Sequence, residues 1–185
     1  EHFNNVLSFD DAKIVAICDV SDFSLNMTKE TFKRKGKELP KIYKGGEHEY
    51  EKMLANEEFD VVLIASPWEW HVPMSVAAMK AGVPYVGVEV SAANTMDECW
   101  DLVNTSEETG SQLMILENVC YRRDVMAALK MVREGLFGEL IHCRCGYEHD
   151  LRAVKFNDGK SYSYVPGTEL KMGPGAIGEA VWRTF

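Results

Sequence analysis

Phe59-Asp-Val-Val-Leu-Ile-Ala-Ser-Pro-Trp-Glu-Trp-His71 and, one helical stretch later, Val83-Pro-Tyr-Val-Gly-Val-Glu-Val90 decide how this chain folds. The first is a solid apolar run that enters a turn at Pro67. Residues 71–80 then read as a helix closed by Gly82, and the second apolar run ends in the carboxylate of Glu89. Parallel strands cannot be joined by a tight turn and need a crossover, and solid apolar runs belong to strands buried on both faces. The pattern predicts a strand, a crossover helix and a second parallel strand. Ligands of such sheets bind beyond the carboxyl ends of the strands.

Working outward, the same alternation continues in both directions. Lys13-Ile-Val-Ala-Ile-Cys-Asp19 is another short apolar run, preceded by what reads as a helix tail over residues 1–7. Ser21 or Asp22 is placed to cap a helix running to Lys35, with Gly36 as its stop. Gly45-Gly46 marks a loop and residues 47–56 an amphipathic helix. Downstream, residues 96–109 predict a helix closed by Gly110, residues 112–116 a strand, and residues 123–134 a helix ending at Gly135. After Gly138 the run Glu139-Leu-Ile-His-Cys-Arg-Cys-Gly-Tyr-Glu-His-Asp-Leu151 alternates, as expected of a strand with one less buried face. Asn157-Asp-Gly and Gly173-Pro-Gly175 mark a loop-rich region. The fold expected is α/β: a Rossmann-type doubly wound parallel sheet over residues 1–120, a connecting helix over 121–137, and the start of an α+β substrate domain over 138–185. Its first strand and glycine loop are expected upstream of Glu1, and the rest of the second domain beyond Phe185.

Composition narrows the function. Lys and Arg number 20 against 29 Asp and Glu, a net charge of −9 that argues against nucleic acid or an anionic membrane as partner. No apolar run reaches the roughly 20 residues of a membrane span. The five cysteines, Cys18, Cys99, Cys120, Cys143 and Cys145, are odd in number and lie mostly in apolar segments, so they read as small core residues. Cys143 and Cys145 have no second pair to complete a tetrahedral shell, and no metal is expected.

The strand ends carry the candidate chemistry. Asp19 follows its strand where an acid accepts hydrogen bonds from adenosine ribose hydroxyls and repels a 2′-phosphate. Val20, Ser21 and Asp22 offer no arginine for that phosphate, which favours NAD over NADP. The competing reading is an aspartate that caps its loop. Trp68, Glu69, Trp70 and His71 form the next turn, where ring and backbone atoms can line a ribose and nicotinamide; turn tryptophans packed on a neighbouring helix are the alternative. His71 reads as a helix-start residue with a hydrogen-bonding role rather than a proton shuttle. Glu89 and Asn118 end two further strands, and three polar strand ends suggest a shared ligand. Asn118 offers the donor and acceptor that a ribose uses. Arg122 and Arg123 read as solvated or paired with acids. Tyr147 and His149 share one face of the alternating segment and are credible acid–base groups; a half-buried Tyr and His on a sheet face are the bland alternative. Arg183, beside Trp182, is a weaker candidate for a sugar hydroxyl or acetamide.

Taken together, Asp19, Ser66-Pro67-Trp68-Glu69-Trp70-His71 and Glu89-Val90-Ser91 resemble the glucose–fructose oxidoreductase and inositol dehydrogenase superfamily. Members usually place Lys where this chain has Val90, and that lysine helps activate the hydroxyl being oxidised. Its absence argues against an ordinary sugar or polyol dehydrogenase, the alternative reading within the superfamily. A third reading is a non-catalytic NAD-binding module. Longer strings resemble one branch, the NAD-dependent α-N-acetylgalactosaminidases of glycoside hydrolase family 109: residues 89–96, Glu98-Cys-Trp-Asp-Leu-Val103, Met114-Ile-Leu-Glu-Asn-Val-Cys-Tyr-Arg-Arg-Asp124, residues 135–150 and Trp182-Arg-Thr184. Residues 165–176 depart from that pattern.

The resemblance implies hydrolysis of terminal N-acetylgalactosamine by oxidation at C3, elimination across C1–C2, addition of water and re-reduction, with NAD regenerated each turn. It implies cofactor contacts from Asp19, Trp68, Glu69, Trp70, His71, Glu89, Val90 and Asn118, substrate contact from Tyr147 and Arg183, and proton transfer by His149. Tyr147 and His149 are then the catalytic candidates. A further histidine of the branch is expected downstream of Phe185, so the chain alone is expected to be inactive. The resemblance also suggests a glycan substrate, a homo-oligomer, and a bacterial periplasmic or cell-envelope location, with the cytoplasm as alternative.

Overall fold

The computed structural model describes residues 5–144. Five strands alternate with helices: β1 (Ala16–Cys18), α1 (Asp22–Lys35), β2 (Lys41–Tyr43), α2 (Glu49–Asn56), β3 (Val61–Ile64), α3 (His71–Lys80), β4 (Tyr85–Val88), α4 (Met96–Thr109), β5 (Gln112–Ile115) and α5 (Arg123–Arg133). Short 3-10 turns at Trp68–Trp70 and Asn118–Tyr121 precede α3 and α5. The helix tail expected upstream is seen at Asn5 and Val6, with residues 1–4 outside the described part.

All strand pairs are parallel, in two sheets: β1 with β2, and β3-β4-β5. The strand order 3-2-1-4-5-6 of dinucleotide-binding folds explains the division. In that order β2 and β1 correspond to strands 3 and 2, and β3-β4-β5 to strands 4, 5 and 6. Strand β2 was not anticipated from the sequence. It forms because Lys41-Ile-Tyr43 pairs with Ala16-Ile-Cys18 in register, and the Glu57 carboxylate accepts from both Lys41 Nζ and Tyr43 Oη.

The main core lies between one face of β3-β4-β5 and helices α3 and α4. Ile64, Val72, Ala78, Met79, Val83, Val86, Val88 and Leu102 are buried there. In the register Leu63–Gly87–Met114, the opposite face carries Val61, Leu63, Tyr85 and Met114, which are all exposed. The expectation of strands buried on both faces therefore holds for residues 86–88 of central β4 and fails for β3 and β5. No described helix covers that second face. Gly87 lies on it beneath two leucine side chains: a Cβ would sit 2.9 Å from Leu63 Cδ2 and 3.1 Å from Leu116 Cδ2, so both ends would have to shift. A second cluster of Leu7, Ile17, Leu25 and Phe32 packs α1 on β1.

Helix ends follow their sequence signals. Ser21 caps α1, accepting from Ser24 N, and Gly36 ends it at φ 62°, where its N–H and that of Lys37 reach Lys33 O and Phe32 O. Thr95 and Glu98 form a reciprocal capping box on α4: Thr95 Oγ1 accepts from Glu98 N at 3.2 Å, and Glu98 Oε2 accepts from Thr95 N at 3.0 Å. Thr95→Ala is expected to cost about 1 kcal/mol, read as a lowered urea midpoint at unchanged slope. Ser111 was not singled out by the sequence, yet its buried Oγ donates to Val83 O at 2.8 Å and ties the residue before β5 to the loop between α3 and β4.

Two readings are corrected. Among the described cysteines, Cys99, Cys120 and Cys143 are exposed and only Cys18 is half-buried, so they are not core residues. On α4 the core-facing positions are Leu102 and Thr105, which leaves Cys99 outside. The strand expected after Gly138 is not formed over residues 139–144, where no described strand is available to pair; its remainder lies outside the described residues.

Candidate functional site at the strand ends

Within each sheet the strands run parallel, so Ser66–His71 after β3, Glu89–Ser91 after β4 and Glu117–Asn118 after β5 gather on one edge of the three-stranded sheet, and Asp19 follows β1 at the carboxyl end of the two-stranded one. Two ladders extend into these ends, through Glu89 N to Ile64 O at 2.9 Å and Leu116 N to Val88 O at 2.8 Å.

Asp19 is half-buried. Its Oδ1 accepts from Ser21 N at 2.7 Å, and Ser24 also bonds to its side chain. Burial raises its carboxyl above the usual range, against the lowering effect of bonds from Ser21, Ser24 and Val20. These bonds bear out the loop-capping reading: Asp19 supports the start of α1, and its carboxyl is partly desolvated at the strand end. Cys18 beside it is pushed up to about 11 by burial, then by Glu49 and Asp19, and stays a thiol at neutral pH. At the start of α1 the Lys44 ammonium is paired with the Asp22 carboxylate.

In the turn after β3, Trp70 packs edge-on against His48, with ring centroids 5.4 Å apart, and against Tyr50 at 6.2 Å. Its ring is therefore committed to α2, as the alternative reading had it, while Trp68 is half-buried and Glu69 exposed. His71 is buried, with Nδ1 2.6 Å from Ser91 O and Nε2 2.8 Å from Ser66 O. It is a hydrogen-bonding residue at the helix start, as expected. The two carbonyls it joins carried no signal in the sequence, since any residue type supplies one. Ser66 Oγ, at the same strand end, is a buried hydroxyl without a protein partner.

Glu89 is half-buried with Oε2 accepting from Val90 N at 3.1 Å, and Val90 is exposed. Glu117 Oε1 accepts from Val119 N at 2.8 Å and shapes the turn that begins at exposed Asn118. Arg122 pairs with Asp124 at 2.7 Å and holds its carboxyl below the usual range. Tyr147, His149 and Arg183 lie outside the described residues. Among the described residues no His, Cys, Asp and Glu cluster is arranged to hold a metal, and no helix is long and apolar enough to cross a membrane.

The donor set suits a dinucleotide. A half-buried acid follows β1 and an unpartnered buried hydroxyl follows β3. Residues 1–117 match the oxidoreductase family with an NAD-binding Rossmann fold. The chain belongs to that family. Residues 121–185 match the C-terminal domain of glycosyl hydrolase 109.

The whole chain is 69% identical to a glycosyl hydrolase family 109 protein of Parabacteroides distasonis, covering 40% of that relative. It is 70% identical over its full span to an alpha-N-acetylgalactosaminidase of Tannerella forsythia, covering 39% of it. The chain thus spans about 40% of the length of these curated relatives. Solved structures share the fold. Myo-inositol 2-dehydrogenase from Lactobacillus plantarum matches with a TM-score of 0.62 at 22% identity, over 76% of this chain and 39% of its own. The WlbA dehydrogenase from Bordetella pertussis, solved with NADH and UDP-GlcNAcA, matches with a TM-score of 0.60 at 20% identity, over 74% and 37%.

Proposed function

We propose that this chain is the cofactor-binding part of a glycosidase that releases terminal α-linked N-acetylgalactosamine with the help of NAD. The observation that carries the reading is the joint match of residues 1–117 to an NAD-binding Rossmann family and of 121–185 to a glycosyl hydrolase domain. The name of the Tannerella forsythia relative supplies the sugar. NAD, when bound, supplies a reversible hydride acceptor for transient oxidation of the sugar.

The work of this chain is to hold that cofactor and fix the sugar against it. Asp19 takes the adenosine ribose hydroxyls. The turns at residues 66–71 and 89–91, with Asn118, line the rest of the dinucleotide. Val90 sits where related dehydrogenases use a lysine on the substrate hydroxyl, so this chain brings no cation to that point. Tyr147 and Arg183 are assigned to the sugar and His149 to proton transfer, on the sequence pattern alone. A net hydrolysis through such a route needs no pair of carboxylates astride the glycosidic bond.

The test is to incubate the full-length protein with a nitrophenyl N-acetyl-α-galactosaminide, and separately with free sugars and NAD⁺. Nitrophenol release without net NADH is expected. Stoichiometric NADH without cleavage would replace the glycosidase by a dehydrogenase. The homo-oligomeric state and the periplasmic or envelope setting belong to the same proposal, and size-exclusion scattering and cell fractionation test them.

A further inference from the structure

His71 opens α3 and is 1% exposed, and both of its ring nitrogens face backbone carbonyls, at 2.6 Å from Ser91 O and 2.8 Å from Ser66 O. A carbonyl oxygen only accepts, and a neutral imidazole carries a single N–H. A neutral ring would therefore set a nitrogen lone pair against an oxygen lone pair at one of these two short contacts. Only the doubly protonated ring donates to both.

We propose that His71 is a positioning residue held as an imidazolium, which clips the turn after β3 to the turn after β4. Charge on a buried ring is opposed by desolvation and by the positive end of α3. Two short charge-assisted bonds, each to a strong backbone dipole, offset that opposition. The neighbouring strand ends are otherwise joined by the Glu89 N to Ile64 O bond, which stops short of the turns themselves. The clip reaches past it: Ser66 begins the segment carrying Trp68 and Glu69, and Ser91 follows Val90. This deepens the cofactor reading and rests on it, since the two turns matter jointly only if one ligand touches both.

The experiment is ¹⁵N-histidine NMR of the full-length protein at neutral pH, with His71→Gln for assignment and for NAD titration. Glutamine donates from one amide nitrogen and cannot span carbonyls on opposite sides of a ring. A ring with both N–H protons present and protected from solvent exchange is expected in the wild type. His71→Gln should lack that pair and bind NAD about tenfold more weakly. A wild-type His71 carrying one ring proton overturns the proposal, as does a folded His71→Gln protein that binds NAD like the wild type. Should His71→Gln fail to fold, His71→Asn assigns the ring, and the wild-type proton count decides. That count needs no cofactor, so its failure leaves the NAD reading standing; a wild type that binds no NAD removes that reading and leaves the proton count intact.

Discussion

Asp19→Ala lowers NAD affinity of the full-length protein about a hundredfold, measured by calorimetric titration of cofactor-free enzyme. A carboxylate that accepts from two ribose hydroxyls makes two charge-assisted bonds, each worth about 1.5–3 kcal/mol, and even the low end of that sum gives two decades. Asp19→Asn keeps the shape and acceptor oxygen but loses the charge, and falls about tenfold by the same scale. The dependence on pH has a definite sign. Burial holds the free carboxyl above its ordinary value of 3.8. Donor hydroxyls favour the charged form, so the cofactor-bound value lies lower. Binding then releases a proton in the window between the two values. Affinity drops as pH falls through the raised value of the free protein and is level above it, and Asp19→Asn removes this slope. Folding has the opposite sign: between 3.8 and the raised value the folded state binds more protons than the unfolded, so this group's contribution declines as pH rises. Unchanged affinity in Asp19→Ala would mean that the carboxylate serves only the start of α1, through Ser21 N.

The elements with firm punctuation were readable from the chain. Residues 71–80, 85–88 and 96–109 fall where the apolar runs and the stops at Gly82 and Gly110 place them, because a helix stop acts through one residue whose identity is the signal. Strand β2 was missed because Lys41-Ile-Tyr43 is three residues long and carries one charge; its structure comes from pairing with β1 and from Glu57, partners distant in sequence. The cysteines were misplaced because an apolar neighbourhood in sequence does not say which way a helix turns: Cys99 lies within α4, but the core takes Leu102 and Thr105. At the site, Asp19, Glu89 and Asn118 were placed at strand ends by their position after apolar runs, and His71 at the start of its helix. What joins the ends, the carbonyls of Ser66 and Ser91, was invisible, since backbone acceptors are the same at every residue.

Phe32→Ala is expected to destabilise the protein by about 3–5 kcal/mol, because the ring is 2% exposed and its removal leaves a cavity that α1 cannot close. The cluster it completes is small. Leu7, Ile17 and Leu25 are its other buried members, and Ile14 and Ile42 pack against them. Few neighbours are therefore free to relax into the gap, which favours the upper part of that range. The loss has a functional reach, since Ile17 belongs to β1 and the strand ends one residue before Asp19. Loosening α1 on β1 frees the carboxylate proposed to take the cofactor's ribose hydroxyls, so affinity should fall with stability. NAD in turn binds only the folded form, so saturating cofactor at about a hundred times its dissociation constant returns about 2.7 kcal/mol. Urea unfolding of wild type and Phe32→Ala, each with and without NAD, reads both effects. The variant's midpoint should drop steeply and recover partly with cofactor. Equal recovery in Asp19→Ala would break the link between this cluster, the end of β1 and the bound dinucleotide.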